Sequence, residues 1–565
     1  MTRVLRSLLL VLAGAAIVAD SPLGAASRQP VRARSAMVGS TEQHASRAGL
    51  DILRRGGNAV DASVAVGFAL AVTHPAAGNL GGGGFMVIRL ADGRETTIDY
   101  RERAPARAHR DMFLDAAGAP VAERSLVGPL AAGVPGSVAG MVYAQRKYGT
   151  LPLATVLEPA VALARDGFEV SWALAESLAA DGGVLSPAAA RAFRRADGTP
   201  LQPGDRLVQA DLARTLALIA ERGSDAFYRG PVADLIVAEM ARSGGLITKA
   251  DLAAYEPRER TPVTGEYRGH RIVSMAPPSS GGIALIQLLN ILEAFPLAEY
   301  GHNSSRTIHL VAEAARRVYA DRSEWLGDPD YFAVPTAGLV SKRYAEHLRA
   351  AISENRATPS REVRPGLPRE YESSETTHFS VVDAAGNAVA TTTTLNGSYG
   401  NGQVVTGAGF LLNNEMDDFS AKPGTPNMFG LIGGDANAIA PGKRMLSSMT
   451  PTIVVKDGRT RLVLGSPGGS RIITTVLQVL LNVVDFGMTV QEAVDAPRFH
   501  HQWLPDAIRL ERQGFPADVR TALGAMGHSL TDGPDMGDVH AIQIDDAGLR
   551  RGASDPRLDG RTVGY

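Results

Sequence analysis

The chain has 565 residues, 45% hydrophobic and 21% charged, with a formal net charge of −2 at pH 7. That is ample material for a large core, and it offers neither nucleic acid nor an anionic membrane a charged surface to bind. There is no cysteine, which excludes disulfides, thiolate catalysis and cysteine-based zinc sites.

At the N-terminus, Arg3 and Arg6 precede the apolar run Leu8–Ala19, too short to span a bilayer comfortably. With the small residues Gly24, Ala25 and Ala26 behind it, the run predicts a signal peptide over 1–26 and a periplasmic or secreted protein without stable membrane association. Gln43–Arg55 has helical spacing, closed by Gly56-Gly57, and Ala62–Val72 is small and apolar almost throughout, which predicts a buried helix. Met86–Leu90 and Glu95–Tyr100 read as strands joined at Asp92-Gly93. The run Gly81–Gly84 lacks the spacing and downstream acid of a dinucleotide-binding turn. Helices are predicted over most of Leu153–Arg242 and Gly281–Tyr319, then strands from Thr376 until a helix over Ser470–Val484 with Ser470 as its N-cap.

Residues 353–375 carry three prolines and nine charged side chains with hardly any apolar periodicity, a pattern that predicts a polar surface tether. Beyond it, Thr377, Phe379 and Val381 alternate, Asp383 to Asn387 can turn, and Val389, Thr391, Thr393 and Leu395 alternate back, a β-hairpin signal. If Asp383 faces Asn387, Thr376 falls opposite Thr394. The stretch has chemical meaning if the Glu375–Thr376 bond is itself cut. An N-terminal threonine then carries a hydroxyl nucleophile and, on its own α-amine, a general base with a reference pKa of about 8.

The segments TTHFSVVDAAGNAVATTTTLN (376–396), LLNNEMDDFSAKPG (411–424), GGDANAIAPGKRMLSSMTPTIV (433–454), GSPGGSRIITTVLQ (465–478) and APRFHHQWLP (496–505) resemble those of the γ-glutamyltranspeptidases, the glutathione hydrolase family of N-terminal-nucleophile enzymes. The resemblance begins near Ser35 and reaches GASDPR, residues 552–557. It implies an α+β fold, a four-layer αββα sandwich built jointly by a large subunit, 27–375, and a small subunit, 376–565, cut from one precursor. It implies Thr376 as nucleophile, Thr394 as its partner hydroxyl, and the Gly468 and Gly469 amides as the oxyanion hole.

The same resemblance places Arg101, Ser447 and Ser448 on the substrate's α-carboxylate, and Asn396, Glu415 and Asp418 on its α-ammonium. These are residue types suited to charge-assisted hydrogen bonds. The expected substrates are glutathione and other γ-glutamyl compounds, with water, amino acids or dipeptides as acceptors and no cofactor or metal. The 413–418 loop lacks the alternation of a calcium loop, and His500-His501 has no third ligand at metal spacing. Phe429, in a lid-like segment over 419–434, stands where lidded relatives often carry tyrosine. The aromatic cover remains and a hydroxyl bond to Asn396 is lost. Two other readings are an acylase of the same fold taking glutaryl β-lactam side chains, which have no α-amine, and an uncleaved exported binding homologue.

Overall fold

The computed structural model describes residues 27–180, 183–195, 197–371 and 380–565. The signal peptide and the cleavage site Glu375–Thr376 lie outside these residues. Two seven-stranded sheets face each other, and every pairing within them is antiparallel. One runs, in spatial order, Val31–Ala33, Arg550–Ser554, His540–Ile544, Arg459–Leu464, Thr452–Lys456, His270–Ser274, Val263–Tyr267. The other runs Arg561–Gly564, Met37–Ser40, Val381–Val382, Ala388–Thr394, Gly83–Arg89, Glu95–Tyr100, Arg258–Arg260.

The two-residue period of a strand sorts its side chains between layers. Met37, Val87, Val382, Ala388 and Ala390 of one sheet meet Val273, Ile453, Val455, Val463 and Ile542 of the other in a dry seam. The alternate residues Met86, Ile88, Val381 and Val389 face the helices Gln43–Arg54, Ala59–Thr73 and Ser137–Tyr148. Val454, Leu462 and Leu464 face Gly281–Leu292, Ser305–Trp325 and Ile472–Val484 on the far side. This is the expected αββα sandwich. Each buried aliphatic side chain contributes about 1.5–3 kcal/mol.

The predicted hairpin register holds where it can be observed. Val381 pairs with Val389 and Val382 with Ala388, and the Asp383 carboxylate accepts the Gly386 and Asn387 amides across the turn. No bulge intervenes. Thr394 pairs onward with Gly83 and Thr393 with Gly84. The glycine run has its reason here, since a Cβ on Gly82 would collide with the Thr394 carbonyl and one on Gly84 with that of Thr392. The second helix begins earlier than periodicity suggested because Asn58 and Asp61 form a capping box.

Three expectations fail. Strands do not dominate after Thr394: residues 395–451 form loops and short 3-10 turns, with Asn396 and Tyr399 at φ +73° and +64° among several left-handed glycines. The helix expected from Ser470 starts at Ile472, behind a 3-10 turn over Gly469–Arg471, so Ser470 is no N-cap. The described part of the 353–375 segment is no surface tether. Glu313 accepts the Thr358 amide and hydroxyl, Asp506 accepts the Ser360 amide, Trp503 donates to the Ser360 carbonyl, and Asp321 accepts the Gly366 amide. The ties run through the uncharged Thr358, Ser360 and Gly366 while Arg361 and Glu362 stay exposed, a distinction composition does not carry.

Glu313 is fully buried between Arg316 and Arg317. Burial alone would raise its pKa, but the two Thr358 donors and the two guanidinium groups hold it below the usual carboxylate range. Its stabilisation is therefore complete above the unfolded carboxyl pKa of about 4.3 and lost as pH falls through the lower folded value. Glu313→Ala, which strips Arg317 of its carboxylate, is expected to lose about 3–5 kcal/mol in denaturant unfolding at neutral pH. The deficit should shrink on acidification, and a pH-independent deficit would show that the charge is not what anchors Thr358.

Candidate active site

Arg101 follows directly on the strand Glu95–Tyr100, and its guanidinium is 1% exposed. Its fork is fully engaged. Nη2 donates to Asp418 Oδ2 at 2.5 Å, Nη1 lies 2.7 Å from Glu415 Oε2 and 3.4 Å from Glu102 Oε2, and Nε donates to the Met445 carbonyl at 3.2 Å. Glu415 and Asp418 sit on a 3-10 turn, Glu415–Asp418, entered from Asn413, whose amide group bridges Gly81 and Gly133 and accepts the Glu415 amide. Three carboxylates thus crowd one guanidinium.

Burial pushes Glu415 well above the usual carboxylate range, with Arg101 and the Thr394 hydroxyl pulling the other way. Burial likewise raises Asp418 against the pull of Arg101, and Glu102 is pushed up to about 7. Arg101 Nη1 and the Thr394 hydroxyl both come near the Glu415 carboxylate, but neither is well aligned as a hydrogen-bond donor to it. A buried acceptor left in this state costs about 1–3 kcal/mol, more when charged.

Thr394 ends its strand with Oγ1 accepting the Asn396 amide at 2.6 Å. That bond fits the left-handed backbone of Asn396, whose Nδ2 donates to the Asn414 carbonyl at 3.1 Å and approaches Met428 Sδ at 3.6 Å. The Met428 sulfur thus lies beside the Asn396 amide. Ser447 Oγ accepts the Met449 amide, and Ser448 Oγ accepts from Arg322 Nη2 at 3.0 Å. Arg101 reaches the Leu446 carbonyl beside them.

Gly468 and Gly469 have φ of +134° and +58°, conformations that favour glycine. A Cβ on Gly469 would strike the Phe429 ring. The lid is fastened at several points. Asn427 Nδ2 donates to Asp418 and the Met428 amide to Asp417, both at 3.0 Å, while Gln502 donates to the Phe429 carbonyl. His500, held neutral by burial with a pKa lowered to about 3, bonds Thr474 and the Gln502 amide that supports the lid. His501 contacts Asp506 and accepts the Trp503 amide. Both histidines are structural.

The structure therefore gathers Arg101, Thr394, Asn396, Glu415, Asp418, Ser447 and Ser448 into one cluster, with Phe429 joining it to Gly468-Gly469. Thr376 lies outside the described residues. Sequence reading missed Arg322 and Tyr319, whose hydroxyl donates to the Ser470 carbonyl at 2.5 Å. The helical expectation stopped at Tyr319, although the helix runs to Trp325.

Paired antiparallel sheets between helical layers, with this pocket at the end of the strand paired to the segment after residue 376, define the class as an N-terminal-nucleophile hydrolase sandwich. The Gamma-glutamyltranspeptidase family profile matches residues 45–565. The chain is 56% identical over 539 residues to a glutathione hydrolase proenzyme of Escherichia coli strain K12, spanning 95% of this chain and 93% of that one. It is 48% identical over 558 residues to one from Pseudomonas sp. strain A14, spanning 96% of each. A cephalosporin acylase from Bacillus halodurans superposes with a TM-score of 0.84 at 29% identity, over 97% of this chain and 98% of that one. The chain belongs to the γ-glutamyltranspeptidase family and is an enzyme of γ-glutamyl transfer and hydrolysis.

Gly469→Ala keeps the amide but displaces the turn through its clash with Phe429 and its positive φ; if the turn forms the oxyanion hole, kcat on a γ-glutamyl anilide is expected to fall by about 100-fold, the scale of misplacing one donor. Adding Phe429→Ala removes the ring the new methyl strikes and should restore part of the loss. Strictly additive effects in the double variant would show that ring and turn do not act together.

Proposed function

We propose that this protein is a self-cleaving γ-glutamyltransferase and glutathione hydrolase whose nucleophile is Thr376. In the precursor, Thr376 Oγ attacks the Glu375 carbonyl carbon. The peptide C–N bond breaks as the amine takes up the proton, and water hydrolyses the resulting ester to release the Glu375 carboxylate. In the two-chain enzyme the freed α-amine accepts the Thr376 hydroxyl proton as Oγ attacks the γ-carbonyl carbon of glutathione. The Gly468 and Gly469 amides face the developing oxyanion. Cysteinylglycine leaves with the proton, and the γ-glutamyl ester passes to water, or to an amino acid or dipeptide amine.

The observation that carries the substrate reading is the Arg101 cluster. The α-carbon of a γ-glutamyl group bears a carboxylate and an ammonium, and the pocket offers a guanidinium and two buried carboxylates, one without an aligned donor. The zwitterion can exchange its own charges for those of the internal ion pairs. A glutaryl group supplies only the carboxylate and leaves Glu415 and Asp418 uncompensated, so the acylase reading is disfavoured despite the shared fold. The N-terminal pattern of Arg3, Arg6 and Leu8–Ala19 supports export. No described helix is long and apolar enough to cross a membrane.

Purified wild type is expected to run as two bands on a denaturing gel and Thr376→Ala as one inactive chain; cleavage of that variant at the same bond would sink the mechanism. Losing charged hydrogen bonds to an ammonium costs about 1.5–3 kcal/mol each, or about 10- to 150-fold. The wild type should therefore prefer γ-glutamyl over glutaryl anilide by about 100-fold or more in kcat/KM, and comparable values would promote the acylase reading. Arg101→Lys keeps the charge and loses the fork. It should raise KM while leaving self-cleavage intact, and unchanged kinetics would remove Arg101 from the pocket.

A further inference from the structure

Arg322 projects from the helix Ser305–Trp325 toward the serine pair and is 5% exposed. Its Nε donates to Ser280 Oγ at 2.9 Å and its Nη2 to Ser448 Oγ at 3.0 Å. Among the described residues no carboxylate lies within ion-pair distance of it, whereas Arg101 next door has three. Burial disfavours its charge, and the positive charge of Arg101 adds to that penalty against the attraction of Asp418. A guanidinium stays protonated in proteins. Arg322 is a buried, uncompensated positive charge in the pocket wall.

Its partners are ordered by what each can still give. Ser280 Oγ donates its one proton to the Ser447 carbonyl at 2.6 Å, so toward Arg322 it accepts. Ser448 Oγ also accepts from Arg322, and among the described residues its own proton has no acceptor. Ser447 Oγ likewise accepts the Met449 amide with its proton uncommitted. Two adjacent hydroxyls are thus held with protons to spare, one polarised directly by a guanidinium. We propose that Arg322 is a positioning residue for carboxylate recognition: through Ser448 directly, and through Ser280 and the Ser447 backbone, it presets both hydroxyls as donors to the substrate's α-carboxylate. It supplies the positive potential that Arg101, shared among carboxylates, lacks. This rests on the reading of Ser447 and Ser448 as the carboxylate seat.

The test compares a γ-glutamyl anilide with 4-aminobutanoyl anilide, which keeps the amine and lacks the α-carboxylate. Arg322→Gln is expected to raise KM for the γ-glutamyl anilide by about 10- to 100-fold, the scale of losing one charge-assisted contact. Its kcat should stay within roughly threefold of wild type, turnover of the aminobutanoyl anilide should be unchanged, and self-cleavage should still yield two bands. Arg322→Lys, which keeps the charge but serves one serine, should fall between. Ser448→Ala added to Arg322→Gln should cost little more, since both act on one contact. Parallel losses on the two anilides, or an unchanged KM, would overturn the inference. If Arg322→Gln does not fold, Ser280→Ala carries the test, with a smaller rise in KM confined to the γ-glutamyl anilide; equal effects on both anilides would overturn it. A wild type that turns over the two anilides alike would instead refute the carboxylate seat itself, an outcome separate from any result on Arg322.

Discussion

A buried helix can carry charges only if each finds a partner, and the helix Ser305–Trp325 buries Glu313, Arg316, Arg317, Asp321 and Arg322. The partners are the segments on which activity depends. Glu313 and Asp321 hold the chain leading toward residue 375. Arg322 holds Ser448, Tyr319 holds the turn after Gly469, and the Ser323 carbonyl accepts the Gly434 amide at the downstream edge of the 419–434 segment. Leaving any one of these groups unpaired costs several kcal/mol, so the helix fixes the Arg101 cluster, the turn at Gly468-Gly469 and the described part of the 353–375 segment in one frame. A catalytic constellation requires that rigidity, because a small misplacement is expensive in rate.

The cluster is held together by internal ion pairs. Arg101 occupies Glu415 and Asp418, and Asn427 donates to the far oxygen of Asp418. The Asp418 carboxylate therefore ties the Arg101 cluster to the segment that carries Phe429. The lid's other fastening, Gln502 to the Phe429 carbonyl, does not depend on the residue at 429, because it uses backbone. Phenylalanine keeps the ring over Gly469 while Met428 takes the neighbouring contact with Asn396.

Much of this was legible in the sequence. The hairpin register followed from two-residue alternation and a turn that only Asp383 to Asn387 could make, and the described pairs obey it. The motif-borne residues Arg101, Asn396, Glu415, Asp418, Ser447 and Ser448 do converge. What could not be read was which loop residues bond to distant buried groups. The 353–375 segment looks solvated because its prolines and charges match a linker, yet its partners lie dozens of residues away in sequence. The 395–451 stretch looks strand-like in its apolar content, but left-handed positions at Asn396 and Tyr399 prevent a ladder. Arg322 is not visible as a helical contact residue because the apolar period of the helix breaks after Tyr319. The period is interrupted there by charges buried for their contacts.

Both sheets interleave strands from before and after residue 376: 31–33 and 263–274 with 452–464 and 540–554 in one, 37–40 and 83–100 with 381–394 and 561–564 in the other. The two halves are therefore not domains that a cut could separate. One severed peptide bond removes none of these pairings, and the seam of Val87, Val382, Ile453 and Val463 remains closed. The pocket is built across the same divide, with Arg101 and Arg322 from the first half and Thr394, Glu415, Asp418 and Ser448 from the second. A chain of this kind must fold as one piece before it is cut, because neither half contains a complete sheet or a complete carboxylate seat. A cut between the two halves then costs the scaffold nothing it depends on.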